Sequence, residues 1–426
     1  MQDVPYSNLI GAVISGINAL QGKSRIEMRK LLDGYLMPPN LPAGEDRVVW
    51  ITPEGLRAVN QIAVKWRRSS EAGSKVSVAE AKKAASKAIG RLITSPQYAS
   101  LEDALTADQI RREIDSEVSD WIGESEHFFK VHLFRHHDTQ RMFLGPVCLE
   151  TGNAWRDRVL TVGSDDHVEA KHLSDFASAP WIGSVSIKER SYERSIEHAS
   201  ICIRVALDAL ALPLSLSQSR EIRGPSDSYE ARRVETTTRF QNGFVGWSGS
   251  REVFGLRSSK DEIERFLGEA KTYFQMVGDI VEILTRRDEA GAYQGLKRRW
   301  IESMYWFGES RRSQDDFIGI VKIGISLDIL SGGGQYAGIV QLCQKLWDVE
   351  KGEIISSDGR TLEKIVDQIY QKGRSQISHG GRFGLLEDLP ILRLDADKFA
   401  SKTLMMFAEN LHSYSGPDDP RAFRAE

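Results

Sequence analysis

Arg374 and His379 stand in the run Gly373-Arg374-Ser375-Gln376-Ile377-Ser378-His379-Gly380-Gly381. A histidine titrates near neutrality, so it can take or supply a proton during a reaction. A guanidinium is planar and permanently charged, which suits it to gripping a phosphate and stabilising charge on its oxygens. A ribonucleotide strand carries its own nucleophile, the 2′-hydroxyl, beside the scissile phosphate. One imidazole and one guanidinium would therefore suffice for strand cleavage without a metal. The plainer reading is that both are cations at the carbonyl end of a helix, favoured there by its dipole. The Arg-x4–6-His spacing is cheap, since composition alone yields roughly two matches by chance. Its setting, at the end of an amphipathic helix and before two glycines, is what gives it weight.

That helix begins at Thr361 and has Leu362, Ile365, Val366, Ile369 and Tyr370 on one side. A second helix over 314–330 places Phe317, Val321, Gly324 and Asp328 on one stripe, with a carboxylate where an apolar side chain is expected. A buried carboxylate needs a partner, and Arg374 is the expected one; the alternative is a helix end already turned to solvent. Asp315 and Asp316 read as first-turn charges. Seven basic residues against four acidic ones lie between 286 and 312, among them Arg298, Arg299, Arg311 and Arg312, with Tyr293, Trp300, Tyr305 and Trp306 interleaved. Such a run suits RNA phosphates and stacked bases, or it is a solvated helix face with aromatics in the core.

The elements that must carry these residues follow from the remaining sequence. A chain of 426 residues exceeds one ordinary core. Its 41% hydrophobic and 27% charged residues are those of a folded globular protein. A net charge of −4 confines any nucleic-acid contact to a local patch. Three scattered cysteines argue against a disulfide framework or a cysteine-rich zinc site. The first twenty residues read as an amphipathic helix rather than a signal peptide, and no apolar run is long enough for a membrane span. The cytoplasm is the expected compartment, and no cofactor or metal is expected.

Residues 1–125 read as helical, with Thr52-Pro53 opening one helix and capping boxes at Ser77/Glu80 and Thr106/Gln109. Residues 126–258 read as a mixed α/β domain: strands at 127–134, 141–149, 158–162 and 181–187, a helix over 192–212 stopped by Pro213, and a strand-like piece at 233–239. Residues 259–415 read as a helical domain, with helices near 259–286, 291–308, 314–330, 336–348, 360–378 and 396–413. Residues 416–426 read as a fraying tail. The fold class is α+β, predominantly α. His132, His136, His137 and Asp138 read as strand and hairpin residues rather than a metal site. Ser331-Gly-Gly-Gly334 lacks the Lys-Ser/Thr of a phosphate loop.

The stretch 291–414 resembles the HEPN superfamily, closest to its Apea-like group. The likeness is carried by Trp300–Phe307, Asp315–Leu330 and Ile369–Gly381. It implies a C-terminal HEPN-like helical bundle that pairs as a homodimer, with Arg-x4–6-His elements meeting across the interface. It also implies a metal-independent endoribonuclease acting on RNA, with Arg374 and His379 catalytic. Asp328, Ser375 and Ser378 would support them, and Arg298, Arg299, Arg311 and Arg312 would hold RNA. Similar proteins act as toxins or in antiviral defence, so the N-terminal region would sense a trigger or restrain the nuclease. Ser375 stands where the family often has Asn, Asp or His. That leaves open an inactive dimerisation or RNA/partner-binding module, or a sensor whose middle domain binds a small ligand.

Overall fold

The computed structural model describes residues 4–24, 26–28, 39–44, 47–135, 141–159, 171, 174, 176–225, 233–239, 245–251, 255–285, 291–375 and 389–425. It is an α+β fold, predominantly α. The chain forms two compact units, Met1–Ser125 with Ile187–Glu197, and Glu126–Ser186 with His198–Glu426.

In the first unit, α1 (Tyr6–Asn18), α2 (Pro53–Ser69), α3 (Val78–Thr94), the short α4 (Leu101–Ala104) and α5 (Ala107–Ser119) surround one apolar core. A small hairpin of β1 (Asn40–Pro42) and β2 (Val48–Trp50) accompanies them. The expected caps are in place: Thr52 caps α2, and both capping boxes close. Glu80 does more than close its box. Its carboxylate accepts from the Ser77 amide at 2.8 Å, from the Ser191 hydroxyl and from the Glu193 amide at 3.2 Å. Glu193 in turn accepts from the Ser77 hydroxyl at 2.7 Å. This exchange satisfies orphan amides at two helix starts and explains why 187–197 belongs to this unit.

Most of a four-stranded sheet in the order β3-β6-β5-β4 belongs to the second unit, from β3 (Gly123–Val131), β4 (Arg141–Leu144), β5 (Val147–Thr151) and β6 (Trp181–Arg190); the first residues of β3 and the last of β6 belong to the first unit. Residues 141–149, read as one strand, form a hairpin that turns at Gly145, whose φ is +58°. Arg158 and Val159, expected in a strand, end the helix α6 (Gly152–Val159), while 160–162 lie outside the described residues. Then come α7 (Tyr192–Leu210), α8 (Leu216–Ser219) and an antiparallel pair of β7 (Arg233–Arg239) and β8 (Val245–Arg251).

The helices that follow are α9 (Lys260–Glu269), α10 (Lys271–Val281), α11 (Gln294–Arg312), α12 (Asp316–Leu330) and α13 (Gln335–Trp347). Next are α14 (Leu362–Val366), continued by a π-helical segment Asp367–Ser375, then α15 (Pro390–Ser413) and α16 (Pro420–Ala425). Helices α11 and α12 pack closely through Ser303 and Ser326, each hydroxyl donating to the other's carbonyl at 2.8 and 2.9 Å.

The stretches 126–258 and 259–415 do not separate as domains, because the end of α7 is tied into the bundle. Asp208 pairs with Arg312 at 2.6 Å, Arg204 pairs with Glu309, and the Ala211 carbonyl accepts from Arg311 at 2.7 Å. The last described residues, Pro420–Ala425, form a helix. Phe423 is 1% exposed and its ring centroid lies 4.6 Å from that of Phe407. Among the described residues, no single helix is long and apolar enough to cross a membrane.

Candidate functional site

Thr361 caps α14 by accepting from the Lys364 amide at 3.3 Å, and Leu362, Ile365 and Val366 bury the helix face. From Asp367 the turns widen to a π-helix through Ser375. Such widened turns occur mostly as short pieces and frequently at functional sites. Ile369 and Tyr370 remain buried. The segment lies close against α12 because a glycine on each element removes a side chain. A Cβ on Gly373 would come within 2.6 Å of Ile320, and one on Gly324 within 2.7 Å of the Arg374 Cβ.

Gly324 thus makes room for the Arg374 stem, and Asp328 lies one turn further along α12. Nη1 of Arg374 meets the Asp328 carboxylate at 3.2 Å, with side-chain exposures of 30% and 16%. The same Nη1 donates to the Tyr370 hydroxyl, and the guanidinium carbon stands 4.9 Å from the centre of the Tyr370 ring. Burial, reinforced by Asp328, pushes the Tyr370 phenol above its ordinary range, while Arg374 pulls the other way. The hydroxyl therefore stays protonated at neutral pH. Among the described residues, Nε and Nη2 of Arg374 meet no hydrogen-bond partner.

Asp328 is held from a second side. Its Oδ1 accepts from the Gln335 amide at 2.9 Å, at the start of α13. Its backbone carbonyl accepts from the Gly333 amide at 2.8 Å and the Ser331 hydroxyl at 3.0 Å. The carboxylate on the apolar stripe thus has Arg374 as its partner. Asp315 caps α12, accepting from the Ile318 amide at 2.9 Å.

Not every expected site residue joins this cluster. Ser378 and His379 lie outside the described residues, as does the Ser375 side chain. Arg298 is exposed and Arg299 half-buried, both on α11. Arg311 and Arg312, expected to hold RNA, are instead internal struts. Arg311 is buried, forks onto Asp397 with two bonds of 2.9 Å, and donates to the carbonyls of Ala211 and Leu214. Arg312 bonds Asp208 through both terminal nitrogens and Glu309 through Nε. Of the aromatics in that run, Trp300 is fully buried and donates to the Leu404 carbonyl at 3.0 Å. Tyr305 carries the Arg204 guanidinium 4.6 Å from its ring centre.

The sequence reading missed Tyr370, taken only as a member of an apolar stripe. The signal was a hydroxyl one helical turn before Arg374. It also missed Asp397, whose mark is a carboxylate on a buried face near Arg393. Arg393 is buried against Gly319 and donates to the Ser310 hydroxyl at 2.9 Å. Burial pulls its guanidinium down to about 10. Among the described residues, no cluster of three His, Cys, Asp or Glu side chains is placed to hold a metal ion. No family model, characterised protein or solved structure matches the chain.

Proposed function

We propose that the C-terminal helices form an RNA-cleaving site of HEPN type that works without a metal. The reading is supported chiefly by one observation: Arg374, five residues before His379, is tethered through Nη1 to Asp328 and Tyr370, while its other nitrogens meet no partner among the described residues. A guanidinium held that way can grip a phosphate and stabilise charge that builds on its oxygens. His379 supplies the proton transfer. As base, an imidazole takes the 2′-hydroxyl proton while that oxygen attacks phosphorus. As acid, an imidazolium protonates the departing 5′-oxygen as its bond to phosphorus breaks. The products are a 2′,3′-cyclic phosphate and a 5′-hydroxyl. In a homodimer the second copy provides the complementary His379.

The test is incubation of the purified chain with RNA in excess EDTA, followed by end-group analysis. Cleavage should leave cyclic-phosphate ends and fall by about a hundredfold or more in His379→Ala and in Arg374→Ala. Cleavage that survives both substitutions refutes the assignment. RNA that is bound but left intact moves the site to the alternative reading, a dimerisation or RNA/partner-binding module.

A further inference from the structure

The C-terminal segment is tied to three separate places in the second unit. Asp418 accepts from the Gly295 and Leu296 amides at 2.7 and 2.9 Å, capping α11, which has no side-chain cap of its own. Phe423 is buried beside Phe407, and its ring centroid is also 4.8 Å from that of Tyr414. Arg424 donates from Nη1 to the Ser331 carbonyl at 2.7 Å. The guanidinium lies so close to Gly334 and Gly338 that a Cβ at either position would collide with it. A cation at that point also complements the carbonyl end of α12.

The turn that Arg424 holds is the one that fixes Asp328. Ser331 through Gln335 presents the Gln335 amide to Asp328 Oδ1, leaving Oδ2 for Arg374. Gln335 has a φ of +54°, a conformation that costs a residue with a side chain and persists only when neighbours enforce it. We infer that Arg424 is a positioning residue for the candidate site, clamping the 331–335 turn so that Asp328 divides its carboxylate between Gln335 and Arg374. The segment 418–424 is thereby part of the machinery. The consequence for RNA rests on the proposed function; the clamp itself does not.

Hydrogen exchange on the 426-residue chain reads the clamp directly. Arg424→Met keeps the aliphatic stem and removes the donors. Exchange at the Gln335 amide should speed up by about ten- to a hundredfold, as expected for losing a charged hydrogen bond. The β4–β5 amides should not change and serve as the folding control. Arg424→Lys should restore most of the protection. In the cleavage assay, kcat should drop by a similar factor in Arg424→Met with KM nearly constant, and Arg424→Lys should recover it. Unchanged exchange at Gln335 in Arg424→Met overturns the inference, as does a kcat loss that lysine fails to rescue. Absence of any cleavage by the unmodified chain would remove the proposed function while leaving the exchange result to decide the clamp.

Discussion

Replacing Asp397 with alanine removes a carboxylate whose two oxygens each accept a 2.9 Å bond from Arg311. The side chains are 3% and 6% exposed, so water cannot take the place of the lost acceptor. Arg311 would keep the Ala211 and Leu214 carbonyls, but its Nε and its charge would be left without a counterpart. Breaking a buried pair from one side costs about 3–5 kcal/mol. Arg393 aggravates the loss, because Asp397 is the foremost neighbour opposing the pull of burial on that guanidinium.

Urea unfolding followed by tryptophan fluorescence measures the effect on the transition that exposes Trp300. With a slope of about 3 kcal/mol per molar urea, the midpoint should fall by roughly 1 M or more. The double variant Arg311→Met with Asp397→Leu removes both charges and should be more stable than Asp397→Ala alone. The unmodified chain, Arg311→Met, Asp397→Leu and the double variant form a cycle, and neighbours in direct contact should couple by more than about 1 kcal/mol. A midpoint loss worth under about 1 kcal/mol, or strict additivity, refutes the view of Arg311 as an internal strut.

Two further outcomes are expected. His127 and His132 are both held below the ordinary histidine range by burial, and His132 further by Arg223 and Arg135. The unfolded chain therefore binds more protons than the folded one below about pH 6.5, so stability is full above that value and declines as the pH drops through the folded-state values. Urea midpoints between pH 7.5 and 5 should show this decline and should flatten in a His127→Gln, His132→Gln variant; an identical slope in that variant would refute it. Burial pushes the Cys148 thiol up to about 11 and Cys343 to about 12, and Cys202 is likewise raised. Ellman's reagent at pH 8 should thus find only about one thiolate in a thousand at Cys148 and release no rapid equivalent until denaturant frees all three. A fast equivalent from the native chain would contradict the burial.

Much of the local structure was legible because its causes are local. Ser77 with Glu80, Thr106 with Gln109 and Ser259 with Glu262 sit three residues apart, and each box closes as that spacing requires. Pro213 stops α7 for a reason contained in one residue. The partnership of Asp328 and Arg374 was legible from a carboxylate that interrupted an apolar stripe. The fate of Arg311 and Arg312 was not, since a basic run looks the same whether its partners are solvent or carboxylates far along the chain. Asp397 is 86 residues from Arg311, and Asp208 is 104 residues from Arg312. Composition also misled at the terminus, where proline, aspartate and arginine suggested fraying. One buried ring and two well-placed charges outweighed that impression. The change of texture near 258 marks where strands give way to helices, which is not where packing stops.

Arg311, Arg312, Arg374 and Arg393 differ in which edge of the guanidinium they commit. Arg311 commits the edge formed by Nε and Nη2, the fork that matches a carboxylate or phosphate, and Asp397 fills it. Arg312 commits Nε to Glu309 and Nη2 to Asp208. Arg393 gives both terminal nitrogens to Ser310. Arg374 alone of these four is tethered by Nη1, the nitrogen outside that fork, with Asp328 and Tyr370 as its anchors. The tether therefore orients the guanidinium without filling the edge that two phosphate oxygens would use. A tie made only for stability has no need to spare that edge, as Arg311 demonstrates in the same unit. Among the described residues, an unfilled fork and a 30% exposed side chain set Arg374 apart from Arg311, Arg312 and Arg393, and they direct the search for an anionic ligand to that edge.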